Sequence, residues 1–311
     1  ASGCGRVQSR PLTLRVGTRA SSLSRRQTDW VLQLLRRADP RLQFHVVPVR
    51  TAGDRTSRPI AELGGVGWFT RELERALLEG AVDLVVHSLK DLPTETPGGL
   101  VVAATPPRED ARDALVGRWP TLDALPRGAR VGTSSPRRRA QLLAYRRDLE
   151  VVPLRGNVDT RLRKVDAGEV EAAVLAAAGL VRGGWEDRIR QYLDPEVMLP
   201  APAQGALAVQ VRESDGPLVE LIRQIDHPPT RAAVRAERAF LRALGGGCTL
   251  PVGALATVEG DRLCLRVRVL SEDGSRQVSA RREGRPDDPE RLGHEAAEEV
   301  RPFLSLMGGR P

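Results

Sequence analysis

Lysine is nearly missing from this chain: of 48 basic side chains only Lys90 and Lys164 are lysines, so arginine carries the positive charge. Arginine offers a flat fork of donors that matches carboxylates and phosphates, which an ammonium cannot copy, although most such residues belong on solvated faces. Aromatic residues make up only 3% of the 311 residues, too few stacking faces for a single-stranded nucleic-acid groove. No apolar run is long enough to span a bilayer; the longest, such as Ala172 to Leu180, stop well short. The three cysteines, Cys4, Cys248 and Cys264, form no CxxC pair and are odd in number. That argues against a zinc ribbon or a disulfide framework and fits a reducing, cytoplasmic setting. The glycine-rich stretch Leu63 to Trp68 is neither a Walker loop nor GxGxxG, so nucleotide binding is unsupported and a mobile loop over a cleft is expected. Residues 1–10 lack the apolar core of a secretory signal and are expected to form a tail.

What is present describes a globular protein of two or three domains, with 41% hydrophobic and 28% charged residues and a net charge of +8. Leu12 to Val16 reads as a strand, followed by a Ser/Thr-rich turn and a helix from Leu23 to Arg37 whose apolar face is Trp30, Val31, Leu34 and Leu35. A strand at Phe44 to Val49, a helix at Phe69 to Glu79 with Thr70 as N-cap, and a strand at Val82 to His87 follow. This alternation predicts a mainly parallel sheet with helices on both faces. Arg15-Val16-Gly17-Thr18 is echoed by Arg130-Val131-Gly132-Thr133, each leading into serines, arginines and a helical stretch, so two related α/β halves are expected. A strand running into a helix N-terminus presents free N–H groups and a positive dipole end, and two such turns facing each other would line an anion cleft. Further on, Ala206 to Val211 reads as one more strand, and a helix at Thr230 to Leu244, an alternating hairpin over Leu263 to Ala280 and a helix at Pro289 to Leu304 read as a small α+β unit.

Two segments carry candidate chemistry. His87-Ser88-Leu89-Lys90-Asp91-Leu92-Pro93 lies at the carboxyl end of a strand, where open α/β sheets bind ligands. Asp91 there is either a carboxylate that steadies a developing cation or a turn residue before a proline, and spacing alone leans toward the turn. Cys248, in Gly245-Gly246-Gly247-Cys248, is either an accessible thiol or a buried inert one, whereas Cys264 fills space in an alternating strand. Arg137-Arg138-Arg139, Arg155, Arg161 and Arg182 could be a solvated face like most charge runs.

Eight ordered blocks make the pattern specific: GTRASSLS, GDR, HSLKDLP, REDARDALV, VGTSSPRRRAQL, LRGNVDTRL, LPAPAQGA and ERAFLRALGGGCTLPVG. With them the chain resembles the hydroxymethylbilane synthase (porphobilinogen deaminase) family from about Leu12 to the C-terminus. The resemblance implies two similar periplasmic-binding-protein-like α/β domains and a smaller α+β C-terminal domain. Residues 11–106 with 206–223 would form the first, 107–205 the second, and 224–311 the third, which carries the cofactor cysteine. It implies a cytoplasmic, monomeric transferase of tetrapyrrole (heme) biosynthesis that condenses four porphobilinogen molecules with loss of ammonia to linear hydroxymethylbilane. The primer would be a dipyrromethane held by a thioether to Cys248, with no metal, membrane or nucleic-acid partner.

By the same resemblance Asp91 is the catalytic acid, opposing the azafulvenium cation left when ammonia departs. Cys248, Lys90, Ser135, Arg137, Arg138, Arg155, Asn157 and Asp54 are assigned to the cofactor. Arg19, Ser21, Phe69, Thr133, Arg155, Arg161, Arg182 and Gln204 are assigned to substrate. Many relatives place lysine where this chain has Val66 and glycine where it has Ala203. Pro136 and Leu250 are lesser departures. Two other classes compete: a non-catalytic two-lobed polyanion-binding protein and, ranked last, a basic nucleic-acid binder.

Overall fold

The computed structural model of the chain describes residues 12–49, 67, 70–245 and 250–307. Strands and helices are numbered in chain order. The first lobe is a five-stranded sheet of β1 (Thr13–Arg19), β2 (Gln43–Val49), β3 (Leu84–Ser88), β4 (Leu100–Ala104) and β10 (Leu207–Arg212), arranged β2-β1-β3-β10-β4. The second lobe contains β5 (Asp113–Gly117), β6 (Arg130–Gly132), β7 (Glu150–Val152), β8 (Ala172–Ala176) and β9 (Ile189–Tyr192), arranged β7-β6-β8-β5-β9. Position for position the two orders are the same, and the echoed segments Arg15–Thr18 and Arg130–Thr133 sit on equivalent strands, β1 and β6. Two similar α/β lobes are what the resemblance implies.

The sheets are mixed rather than mainly parallel. In each, two pairings are parallel and two antiparallel, because β10 runs against β3 and β4, and β5 against β8 and β9. Strand direction depends on partners distant in sequence, which hydrophobic patterning cannot report. Since β4 leads into β5 and β9 leads into β10, the chain crosses between the lobes twice, through residues 105–112 and 193–206.

Helix α1 (Ser22–Ala38) buries Val31, Leu32 and Leu35 against Leu14, Val16 and Leu84 of the first sheet, each fully buried leucine contributing ~2 kcal/mol. Trp30 and Leu34, expected on that face, are half-buried at its margin. Helix α2 (Arg71–Leu78) begins after Thr70, whose hydroxyl donates to the Gly67 carbonyl (3.4 Å) rather than capping the helix. The second lobe adds α3 (Pro136–Tyr145), α4 (Val158–Asp166) and α5 (Ala177–Gly183), and α6 (Gly216–Arg223) returns to the first sheet. The third domain is a meander, β11 (Val252–Glu259), β12 (Arg262–Leu270) and β13 (Gln277–Gly284), covered by α7 (Pro228–Ala243) and α8 (Pro289–Leu306). Sequence reading finds its hairpin and both helices but misses β11, whose alanines and Gly253 carry little strand propensity.

The second crossover is conformationally demanding. Ala203 is fully buried with φ 64°, the one described residue other than glycine in the left-handed region, and its N–H donates to Glu237 Oε2 on α7 (2.6 Å). Gly205, at φ 84°, has no room for a side chain, since a Cβ would lie 2.5 Å from the Glu109 carbonyl oxygen. Ala203→Gly therefore removes ~1 kcal/mol of backbone strain while freeing the unfolded chain by a similar amount. Its Tm should stay within about 3 °C of the parent, whereas Gly205→Ala should lower Tm by more than about 5 °C in a thermal scan. Equal shifts for the two variants would refute this account of the crossover.

Candidate active site

The two strand-to-helix turns follow the equivalent strands β1 and β6. Ser21 caps α1, accepting the Ser24 N–H (3.2 Å), and Ser135 caps α3, accepting the Arg138 N–H (3.3 Å). Each cap stabilises its helix by ~1 kcal/mol. Thr133 is buried and accepts the Ser135 N–H at Oγ1 (3.1 Å). These hydroxyls thus shape the anion-facing helix ends in addition to any contact with a ligand. Asn157 occupies the N-cap position of α4 and is exposed, with no side-chain capping bond.

At the base of the second lobe one buried carboxylate gathers two arginines. Asp113, at the start of β5, is fully buried and accepts Arg137 Nη1 (2.6 Å), Arg138 Nε (2.9 Å) and Nη2 (2.7 Å), and Gln204 Nε2 (3.0 Å). Burial works to raise its pKa, but the charges of Arg137 and Arg138 and the donated hydrogen bonds outweigh it and hold the carboxyl well below the usual range. Arg137 also donates to the Leu199 carbonyl (2.9 Å). Gln204 comes from the second crossover: its Oε1 faces Lys90 Nζ (3.4 Å) from the first lobe and Arg138 Nη2 (3.5 Å) from the second, while its Nε2 also donates to Ala111 O (2.8 Å). One amide therefore joins both lobes to the crossover.

Lys90 and Asp91 lie on a single 3₁₀ turn, Leu89–Asp91, directly after β3. With three residues per turn, neighbouring side chains diverge by ~120°, so the adjacent charges serve different surroundings. Lys90 reaches toward Gln204, whereas Asp91 lines a small cavity with Arg19, Gln27, Thr70, His87 and Ser88. Lys90 keeps a flank open to solvent, yet crowding by protein and the charge of Arg138 lower its pKa to about 8 against the opposing pull of Asp91 and Asp113. His87 is buried, its Nε2 paired with Gln210 Oε1 (2.8 Å), and burial lowers its pKa to about 4, which leaves the imidazole neutral near pH 7. Gln210 in turn donates to Glu74 Oε1 (3.1 Å), whose pKa burial raises.

The remaining arginines close the cleft. Arg161 donates through Nε to the Gly156 carbonyl (2.8 Å); burial and the charges of Arg138 and Arg155 lower its pKa to about 10, with Asp91 opposing. The guanidinium of Arg182 lies over the Trp30 ring of the first lobe, 5.2 Å from the centroid, and burial lowers its pKa to about 10 against the pull of Glu109. Arg138 thus repels both Lys90 and Arg161, and Arg155 repels Arg161, an arrangement that polycarboxylate ligands would relieve. The donor set fits a dipyrromethane, whose rings carry acetate and propionate groups. Asp54, Phe69, Val66 and Cys248 lie outside the described residues.

Sequence reading missed Asp113 and Gln27. Asp113 sits within REDARDALV, with nothing local to mark it as the partner of two arginines 24 and 25 residues away. Gln27 shares the α1 face of Val31 and Leu35 and accepts from Ser88 Oγ (3.2 Å); a polar residue on a core-facing helical stripe was the available signal.

Fold and site together define a two-lobed α/β protein with a cationic cleft, braced by an α+β domain. The family model described as porphobilinogen deaminase, dipyromethane cofactor binding domain, matches residues 14–220, and the porphobilinogen deaminase C-terminal domain matches residues 231–301. Porphobilinogen deaminase of Pelotomaculum thermopropionicum is 50% identical over 287 residues, covering 92% of each chain. That of Thermus thermophilus is 49% identical over 287 residues, 92% of this chain and 94% of the relative. The solved methionine binding protein MetQ is 14% identical with a TM-score of 0.43, over 69% of this chain and 90% of that one. The chain belongs to the porphobilinogen deaminase family, whose members are transferases. No helix among the described residues is long and apolar enough to cross a membrane.

Two outcomes follow from this geometry. A Lys90 pKa lowered to about 8 means that the ammonium is kept below that pH and lost above it, where its hold on carboxylates weakens. Amine acylation followed by peptide mass mapping should give half-maximal modification of Lys90 near pH 8, ~2 units below free lysine. A half-point near that of free lysine would contradict it. Asp113→Asn leaves two buried guanidinium groups without their counter-charge, so urea unfolding should show a loss of ~3–5 kcal/mol. A loss below ~1 kcal/mol would show that the pair does not depend on that charge.

Proposed function

We propose that this transferase is a hydroxymethylbilane synthase: it joins four porphobilinogen molecules head to tail, with loss of ammonia at each step, to the linear tetrapyrrole hydroxymethylbilane. The observation that carries the reading is the Lys90–Asp91 turn, which sets one carboxylate in a cavity at the edge of a cluster of cationic donors. When bound, a dipyrromethane joined by a thioether to Cys248 supplies the pyrrole terminus from which the chain grows.

The residues divide the work by charge. Arg138, Arg155, Arg161 and Lys90 bind the acetate and propionate groups. The contacts of Lys90 and Arg138 with Gln204 Oε1, at 3.4 and 3.5 Å, are long enough that a ligand carboxylate would replace the neutral amide oxygen with stronger, charge-assisted bonds. Arg19, in the cavity with Asp91, and Arg182, held on Trp30, receive the incoming substrate. As the bond between the aminomethyl carbon and nitrogen breaks and ammonia leaves, positive charge develops on the substrate pyrrole, and the Asp91 carboxylate opposes it. The new carbon–carbon bond forms at the free α-position of the accepting ring, whose proton is then lost, with Asp91 placed to take part in its transfer. The neutral imidazole of His87 adds no competing positive charge to the cavity.

The family resemblance further supports a cytoplasmic monomer without a nucleic-acid partner. Cys248→Ser should abolish covalent attachment, so intact-mass analysis of the parent shows a dipyrromethane adduct on Cys248 that the variant lacks. Asp91→Asn should keep the adduct and lose ~10²–10⁴-fold in ammonia release from porphobilinogen. A bare Cys248 in fully active protein, or an Asp91→Asn variant that turns over normally, would overturn the assignment.

A further inference from the structure

Helix α7 presents consecutive charged residues to two different parts of the site. Glu237, fully buried, accepts a bidentate pair from Arg108 (2.7 and 3.0 Å) and the N–H groups of Ala203 (2.6 Å) and Ala256 (2.7 Å), which ties both crossovers to the third domain. Arg238 reaches the opposite way. Its Nη1 donates to the carbonyls of Leu89 (3.2 Å) and Leu92 (2.9 Å), and its Nη2 to that of Pro93 (2.6 Å). Those are the carbonyls of the turn that carries Lys90 and Asp91 and of the residues just after it.

We infer that Arg238 is a positioning residue for the Lys90–Asp91 turn, so that the third domain sets where the reacting carboxylate stands; this rests on the reading of Asp91 as the catalytic acid. A single 3₁₀ turn is a weak structure on its own, closed here by the Leu92 N–H to Leu89 O bond at 3.2 Å. Outside help comes from the Leu89 N–H to Ala206 O bond (2.9 Å) and from α7. Val234, one turn before Arg238 on the same helix face, packs with Leu89 and Leu92. One stripe of α7 therefore holds the apolar underside of the turn while the next turn collects its carbonyls. A planar guanidinium can serve three acceptors at once, whereas an ammonium has no fixed fork. Burial and the neighbouring Arg242 lower the Arg238 pKa to about 10, so the group stays charged near pH 7 and meets carbonyl dipoles with a full positive charge. The same helix ends at Ala243, about 8 Å further along its axis and five residues before Cys248 in the sequence. The carboxylate-bearing turn is thus held by a rigid element, which fits a reaction that must meet the same acid at every addition.

The test uses full-length protein carrying its primer, with turnover expressed per primer-loaded molecule as counted by intact mass. Arg238→Gln should lower kcat on the order of 10- to 100-fold, with KM for porphobilinogen within about twofold of the parent. Arg238→Lys, which can satisfy part of the carbonyl set, should recover part of that loss, and it carries the test if the glutamine variant fails to accumulate. A purely structural role would lower Tm or the loaded fraction and leave kcat per loaded molecule at the parental value; that result in either loaded variant overturns the proposal. Asp91→Asn run alongside separates the two failures. If it turns over normally the reading of the acid is wrong, and if it is inactive while loaded Arg238 variants are unimpaired, only the positioning role is wrong.

Discussion

Crowding like charges in a cleft is the constraint on which the rest of this structure depends. A site for polycarboxylates needs several guanidinium groups close together, and each raises the cost of the next. Asp113 is the principal answer. One buried carboxylate takes two arginines and the Gln204 amide, enough to hold the cluster in a folded protein but too little to neutralise it. The charge that remains adds to burial in lowering the pKa values of Lys90 and Arg161, and it suits the cleft to the anionic ligands proposed for it.

The second consequence is mechanical. The second lobe is inserted into the first between β4 and β10, so the crossovers between them pass through the site instead of around it. Gln204 lies on one of them and contacts Lys90 and Arg138 from opposite lobes. The third domain braces this junction through neighbouring side chains, Glu237 toward Arg108 and the strained Ala203, and Arg238 toward the carboxylate-bearing turn. The left-handed backbone at Ala203 persists because a buried charge holds its N–H in place.

Repetition explains why the lobes can face each other with similar chemistry. The equivalent strands β1 and β6 both run into a serine-capped helix with arginine close by, so each lobe presents a helix N-terminus with free N–H groups at the same place in its fold. The lobes then diverge. The first carries the Lys90–Asp91 turn and the neutral His87, the second the arginine pair on Asp113, and Arg182 on Trp30 links them across the gap.

Much of this was legible in the chain. The order of elements, the internal echo and the segments bearing Asp91, Lys90 and the arginines are local features, and local propensity, periodicity and motif spacing report local features well. Direction of β5 and β10, the pairing of Asp113 with Arg137 and Arg138, the place of Gln27 in the cavity and the reach of Arg238 to three carbonyls were not, because each joins residues between 24 and 149 positions apart. Sequence by itself determined which charges the protein possesses. Tertiary structure alone decided which of them cancel and which stay uncompensated, since that depends on burial and distance, and neither is a property of a residue's neighbours along the chain.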